Sequence, residues 1–128
     1  MCIANKFLTR FEELSNELEA EFQRLLKLRA EYDKKISDHY HKVETAKFNA
    51  AEGYYLAKEL QHIARQRRII KNELYKVRNL REMMKMDTVM EDTSKARRSL
   101  TKIHKHEKKS DWCNEWKNDY RVEDLPVH

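Results

Sequence analysis

Glycine and proline are almost absent, with Gly53 and Pro126 the only examples in 128 residues. Tight turns, two-residue hairpins and phosphate-cradling loops all draw on these residues. Their scarcity excludes a Walker loop, a GxGxxG fingerprint and a GxSxG elbow. It also argues against sandwiches, barrels and α/β folds, which need more turn chemistry. Cysteine is as scarce: Cys2 and Cys113 stand at opposite ends of the chain. They make no disulfide framework, and they fit a reducing cytoplasm. No apolar run nears ~18 residues, so no membrane span is expected. The opening MCIANKFLTRFEEL lacks the apolar core of a signal peptide.

Charge fills the space those residues leave. Charged side chains make up 38% of the chain and hydrophobic ones 40%, too few of the latter for a large globular core. Glu, Lys, Leu, Arg and Ala dominate, which is the composition of long helices and coiled coils. The expected fold is all-α, in two parts. Residues 1–86 would form a long coiled-coil-like helical hairpin or one long helix, and residues 87–128 a shorter basic helix followed by a polar tail.

The most strongly patterned stretch runs from Leu60 to Lys85. Leu60, Ile63, Ile70, Leu74, Val77 and Met84 recur at helical spacing. Between them lie Arg65, Arg67, Arg68, Lys71, Lys76, Arg78, Arg81 and Lys85, opposed only by Glu73 and Glu82. One face can pack a helix while another presents positive charge. A second basic block spans 93–110, with seven Lys/Arg against Glu107, and residues 111–128 are acidic. Basic blocks suit polyanions or acidic protein surfaces, although a charge run is commonly just a solvated helix face.

Upstream, Phe7, Phe11, Leu14, Leu18, Phe22, Leu25, Leu28 and Tyr32 predict an amphipathic helix over Ile3–Lys35. Phe11, Leu18, Leu25 and Tyr32 are seven apart. Leu14 and Leu28 fit the complementary row, which Glu21 breaks while Phe22 shifts the stripe sideways. A weaker stripe follows: Ile36, Tyr40, Val43, Ala46, Ala50, Tyr54, Ala57. Ser37-Asp38 and Asn49 are the candidate bends. Asn49-Ala50-Ala51-Glu52 matches a capping box, with Gly53 just inside the new helix. A continuous helix over 5–85 would reach roughly 120 Å at ~1.5 Å per residue, and only an oligomer would bury its stripe. Thr88-Val89-Met90-Glu91 is a second capping-box match. It opens a predicted helix over Val89–Lys108 that aligns Val89, Thr93, Ala96, Leu100 and Ile103, with Lys95, Arg98, Lys102, Lys105 and Lys109 opposite. Trp112 and Trp116 stand in the polar tail, where such a pair either docks on its own protein or anchors a partner.

Catalytic and metal signatures are missing, so no enzyme and no cofactor is expected. His39 and His41, like His104 and His106, are two apart and point to different sides of a helix. Without a CxxC beside them they read as surface histidines and not as metal ligands. A basic helix can enter a DNA groove. Here, however, the cations share their helix with an apolar ridge, whereas a basic zipper separates the two along the chain.

The segment ISDHYHKVETAKFNAAEGYYLAKELQHIARQRRIIKNEL resembles, in style, small Lys/Glu-rich helical accessory proteins of phages and prophages of low-GC bacteria. That resemblance implies a non-catalytic role in the host cytoplasm: binding and redirecting a host protein, or countering host defence.

The reading that follows is an oligomeric helical interaction protein. Arg65, Arg67, Arg68, Lys71, Arg78 and Arg81 would face an acidic protein partner, and Trp112 and Trp116 would make a second contact. One alternative places phosphates of nucleic acid on the basic helix. Another is an oligomeric sponge or inhibitor for an anionic small ligand.

Overall fold

The computed structural model describes residues 2–109 and 122–126. Among the described residues the regular structure is all helix, with no strand. Helix α1 spans Ile3–Thr45, α2 spans Ala50–Met83, α3 spans Met86–Lys109, and a short 3-10 turn covers Val122–Asp124. The chain divides into two compact units, Met1–Glu13 with Asp87–His128, and Leu14–Met86.

In the Leu14–Met86 unit the inward positions of both helices follow an unbroken three–four rhythm. On α1 the buried or half-buried series is Ser15, Leu18, Phe22, Leu25, Arg29, Tyr32, Ile36, His39 and Val43. On α2 it is Gly53, Leu56, Leu60, Ile63, Arg67, Ile70, Leu74, Val77 and Arg81. A 3.5-residue average keeps one stripe on one side of each helix over its whole length. The helices run antiparallel. His39 meets Leu56, Asp33 meets Arg67 and Glu19 meets Arg81, so positions descend on α1 as they rise on α2. Phe22, Leu25 and Leu74 form the core of the seam, with Leu26 and Val77 packed against them. Leu74 is the most enclosed, at 2% exposure.

The rhythm corrects several expectations. Leu14 and Tyr40 were placed on the stripe, but they are 65% and 58% exposed. The second row passes through Ser15, Phe22 and Arg29, not through Leu14, Glu21 and Leu28. Burying the Phe22 ring removes far more apolar area from water than the alternative row would, which has Glu21 at its centre. Ser37 and Asp38 do not bend the chain, and α1 continues to Thr45. His39 is not a surface histidine: it lies in the seam at 4% exposure.

Helix ends follow local chemistry. Residues 46–49 are non-helical, and Asn49 caps α2, its side-chain oxygen accepting from the Glu52 amide at 2.9 Å. That bond satisfies one of the amides a helix start leaves unpaired. Gly53 is the only glycine in the chain. A Cβ there would stand 3.2 and 3.3 Å from the Phe48 ring, which folds over that position. At the other end α2 stops at Met83, so the predicted ridge residue Met84 lies outside it. Lys85 takes the left-handed conformation (φ 49°), its amide donating to the Glu82 carbonyl at 3.2 Å. One left-handed residue ends α2 and lets α3 begin at once. Thr88 therefore lies inside the first turn of α3 and does not cap it, contrary to the expectation of a start at Val89.

Two outcomes test this arrangement. Leu74→Ala should lower unfolding stability by about 2–5 kcal/mol, read by urea titration of the helical circular-dichroism signal. At the joint, Lys85→Val should cost about 1–2 kcal/mol, because a β-branched residue resists positive φ, while Lys85→Gly should hold or raise stability.

Candidate functional site

The seam sorts the cations of α2 into two groups. Arg67 and Arg81 occupy ridge positions, so their charges must be answered from α1. Arg67 Nε donates to the Asp33 carboxylate. Arg81 donates from both Nε (3.0 Å) and Nη2 (2.7 Å) to one carboxylate oxygen of Glu19. The Arg81 guanidinium also lies 4.0 Å from the centroid of the Phe22 ring. Its planar face thus covers the buried aromatic while its edge meets the carboxylate, a combination lysine cannot reproduce.

Arg65, Arg68, Lys71 and Arg78 form the second group. None of them makes an ion pair or side-chain hydrogen bond among the described residues. Arg65, Arg68 and Lys71 are exposed and Arg78 is half-buried. Arg65 points away from the seam, and Arg68, Lys71 and Arg78 step back toward its flank, so the four make one broad stripe on one side of α2, with Asn72 and Tyr75 among them. From Arg65 to Arg78 the stripe runs about 20 Å at ~1.5 Å per residue. A recess of about 380 Å³ opens beside it, lined by Ile36, Ala64, Arg67, Arg68, Lys71 and Asn72. Of the sequence-predicted partner residues, then, four lie together on an open face and two are tied into the fold. Trp112 and Trp116 lie outside the described residues.

Two polar residues that join helices, His39 in the seam and Arg97 on α3, are not marked out by residue type in the sequence. His39 Nε2 donates to the Leu56 carbonyl at 2.8 Å, and its Nδ1 lies 3.7 Å from a Glu59 carboxylate oxygen. Lys42 Nζ approaches the same oxygen at 3.8 Å. The signal was present: 39 follows 11, 18, 25 and 32 in the seven-residue series. Arg97 is the other. It donates from Nε to Glu12 at 2.8 Å, from Nη2 to the Thr9 hydroxyl at 3.1 Å, and from Nη1 to the Asn5 side-chain oxygen. Asn5, Thr9 and Glu12 recur at steps of four and three, a polar stripe at helical spacing.

In the unit that holds Arg97, the first turns of α1 and the length of α3 enclose an open apolar groove of about 580 Å³. Phe7, Leu8 and Phe11 line it from α1, and Val89, Ala96, Leu100 and Ile103 from α3. Phe7, Phe11 and Ile103 remain 50–58% exposed. Among the described residues no three or more His, Cys, Asp or Glu side chains gather as metal ligands would. No helix among them is long and apolar enough to cross a membrane. Comparison with protein-family models, curated proteins and solved structures finds no match for the chain.

The internal arginine pair can be tested by reversal. Arg81→Glu should cost about 1.5–3 kcal/mol in urea unfolding, since it removes charge-assisted hydrogen bonds and sets two carboxylates face to face. Adding Glu19→Arg should recover part of that loss; strict additivity of the two substitutions would show that the residues are not coupled.

Proposed function

We propose that this protein acts by binding, not by chemistry, and that the outer stripe of α2 docks an acidic protein surface. The observation behind this reading is the division of the cations. Arg67 and Arg81 are matched by carboxylates across the seam, while Arg65, Arg68, Lys71 and Arg78 stand without partners on one face. Charges left unmatched on a face steer and orient a partner of opposite sign. The α1–α2 pair, on this reading, is an antiparallel coiled-coil hairpin that serves as a stiff mount for that stripe. The resemblance to phage accessory proteins suggests the setting, a host cytoplasm, and the role, modulation of a host protein that includes its defences.

Nucleic acid is the second reading. It is favoured by Asn72 and Tyr75 between the cations, since an amide and an aromatic ring can meet bases while arginines meet phosphates. The protein reading ranks first because α2 also carries the seam, leaving one face and not a whole basic helix to enter a groove.

Affinity capture from the source cell separates the two. The tagged chain should retain a specific protein that is released as salt screens the contact. Arg65→Glu with Arg68→Glu and Lys71→Glu should lose it at least tenfold in yield, with the helical signal unchanged. Capture that survives the triple reversal overturns the reading, and capture abolished by nuclease transfers the stripe to nucleic acid.

A further inference from the structure

The apolar groove between the start of α1 and α3 belongs to the unit that does not contain α2, and it calls for an occupant of its own. Its floor exposes Phe7, Phe11 and Ile103, at 50%, 58% and 52%. Water against three such side chains is unfavourable by the area they leave wet. The two edges of the groove on α3 differ. One is closed, because Arg97 is held by Asn5, Thr9 and Glu12. The other is free, and Asp92, Lys95, Ser99 and Lys102 follow along it at steps of three and four.

Charge along that free edge is graded. It runs from Asp92 to Lys95 and Lys102, whereas Asp87, Glu91, Arg98, Lys105 and Lys109 lie on the side of α3 away from the groove. Glu91 and Lys95 already pair within the helix at 3.2 Å, but Asp92 and Lys102 make no ion pair or side-chain hydrogen bond among the described residues. A uniformly acidic partner would match the later half and be repelled by the earlier one, and a basic partner the reverse. A helix of this same sequence, laid antiparallel, matches both.

We infer that the groove is a self-association surface, occupied by a second copy of this chain with α3 antiparallel to α3. A two-fold axis near residue 97 sets Asp92 of each copy against Lys102 of the other. It brings the small side chains of Ala96 and Ser99, which line the groove, to the crossing, where close approach of two helices is easiest. The contact is isologous: position 92 of each copy meets position 102 of the other, so the pair is made twice. A parallel pairing places Asp92 on Asp92 and Lys102 on Lys102, so the gradient selects orientation as well as partner.

The test is solution mass by light scattering, across dilution, on the full chain. The wild type should approach twice 15.6 kDa as concentration rises. Leu100→Glu, which sets a charge on the groove floor, should return it to 15.6 kDa with the helical signal retained. Should that variant unfold, the edge charges still decide. Asp92→Lys alone and Lys102→Glu alone should each weaken association at least tenfold, and the two variants mixed should associate with each other as tightly as the wild type does with itself. General damage to α3 cannot produce that mutual rescue. A wild-type mass of 15.6 kDa at every concentration overturns the inference and gives the groove to a foreign helix; two variants that ignore each other overturn the antiparallel pairing. Arg65→Glu with Arg68→Glu should leave the mass unchanged, so failure here is separable from failure of the α2 reading.

Discussion

A pair of helices has one seam, and a charge placed in it must be answered by a charge beside it. Between α1 and α2 that constraint falls on Arg67 and Arg81, which stand where an apolar residue would ordinarily stand; Arg29, the seam arginine of α1, is met by Asp33 one turn along its own helix, at 3.9 Å. Asp33 and Glu19 answer Arg67 and Arg81. Uncompensated, either arginine would force the helices apart or draw water into the contact. The two pairs therefore do more than add stability: among antiparallel alignments, they favour the one in which Phe22, Leu25 and Leu74 also meet. His39 acts in the same way near the turn, its ring donating to a carbonyl of the facing helix. Polar groups at intervals along an apolar seam are an expensive way to pack and an effective way to specify register.

That commitment shapes the functional reading. Residues 60–85 first present themselves as a single basic block, and the fold divides it. The arginines of the three–four series belong to the architecture; those outside it are left to the surface. A substitution series that treated all of them alike would confuse loss of fold with loss of binding. The division also explains how the basic α2 packs against α1, which holds more acidic than basic side chains: part of the charge of α2 is neutralised across the seam, and Arg65, Arg68, Lys71 and Arg78 are left outside it.

Much of the fold was legible in the sequence because helix periodicity and capping are local. The α2 ridge of Leu60, Ile63, Ile70, Leu74 and Val77, the cap at Asn49 and the α3 row of Val89, Thr93, Ala96, Leu100 and Ile103 all follow from spacing alone. What could not be read depends on an opposing surface. Tyr40 and Leu14 look like core residues until the facing helix is in place, and His39 looks like a surface residue for the same reason. Arg67 and Arg81 cannot be told from Arg65 and Arg68 by type, and only their place in the three–four series separates them. The α3 start departs from the sequence expectation because Thr88 and Glu91 match a capping box by residue type, while Lys85, which carries no such signature, makes the turn. The outer stripe was legible as composition but not as a face.

The unbroken three–four series has a last consequence, for length. Each helix of the Leu14–Met86 unit repeats its seam every seven residues, and the two run in opposite directions. Removing one heptad from α1 and the facing heptad from α2 leaves every remaining pair opposite its former mate, with the turn at 46–49 untouched. Removing a heptad from one helix alone shifts every partner beyond the cut by about 10 Å. The unit is thus a ruler whose graduations are fixed but whose extent is not, and the reach of whatever it holds at either end can be changed in steps of two helical turns without redesigning the seam.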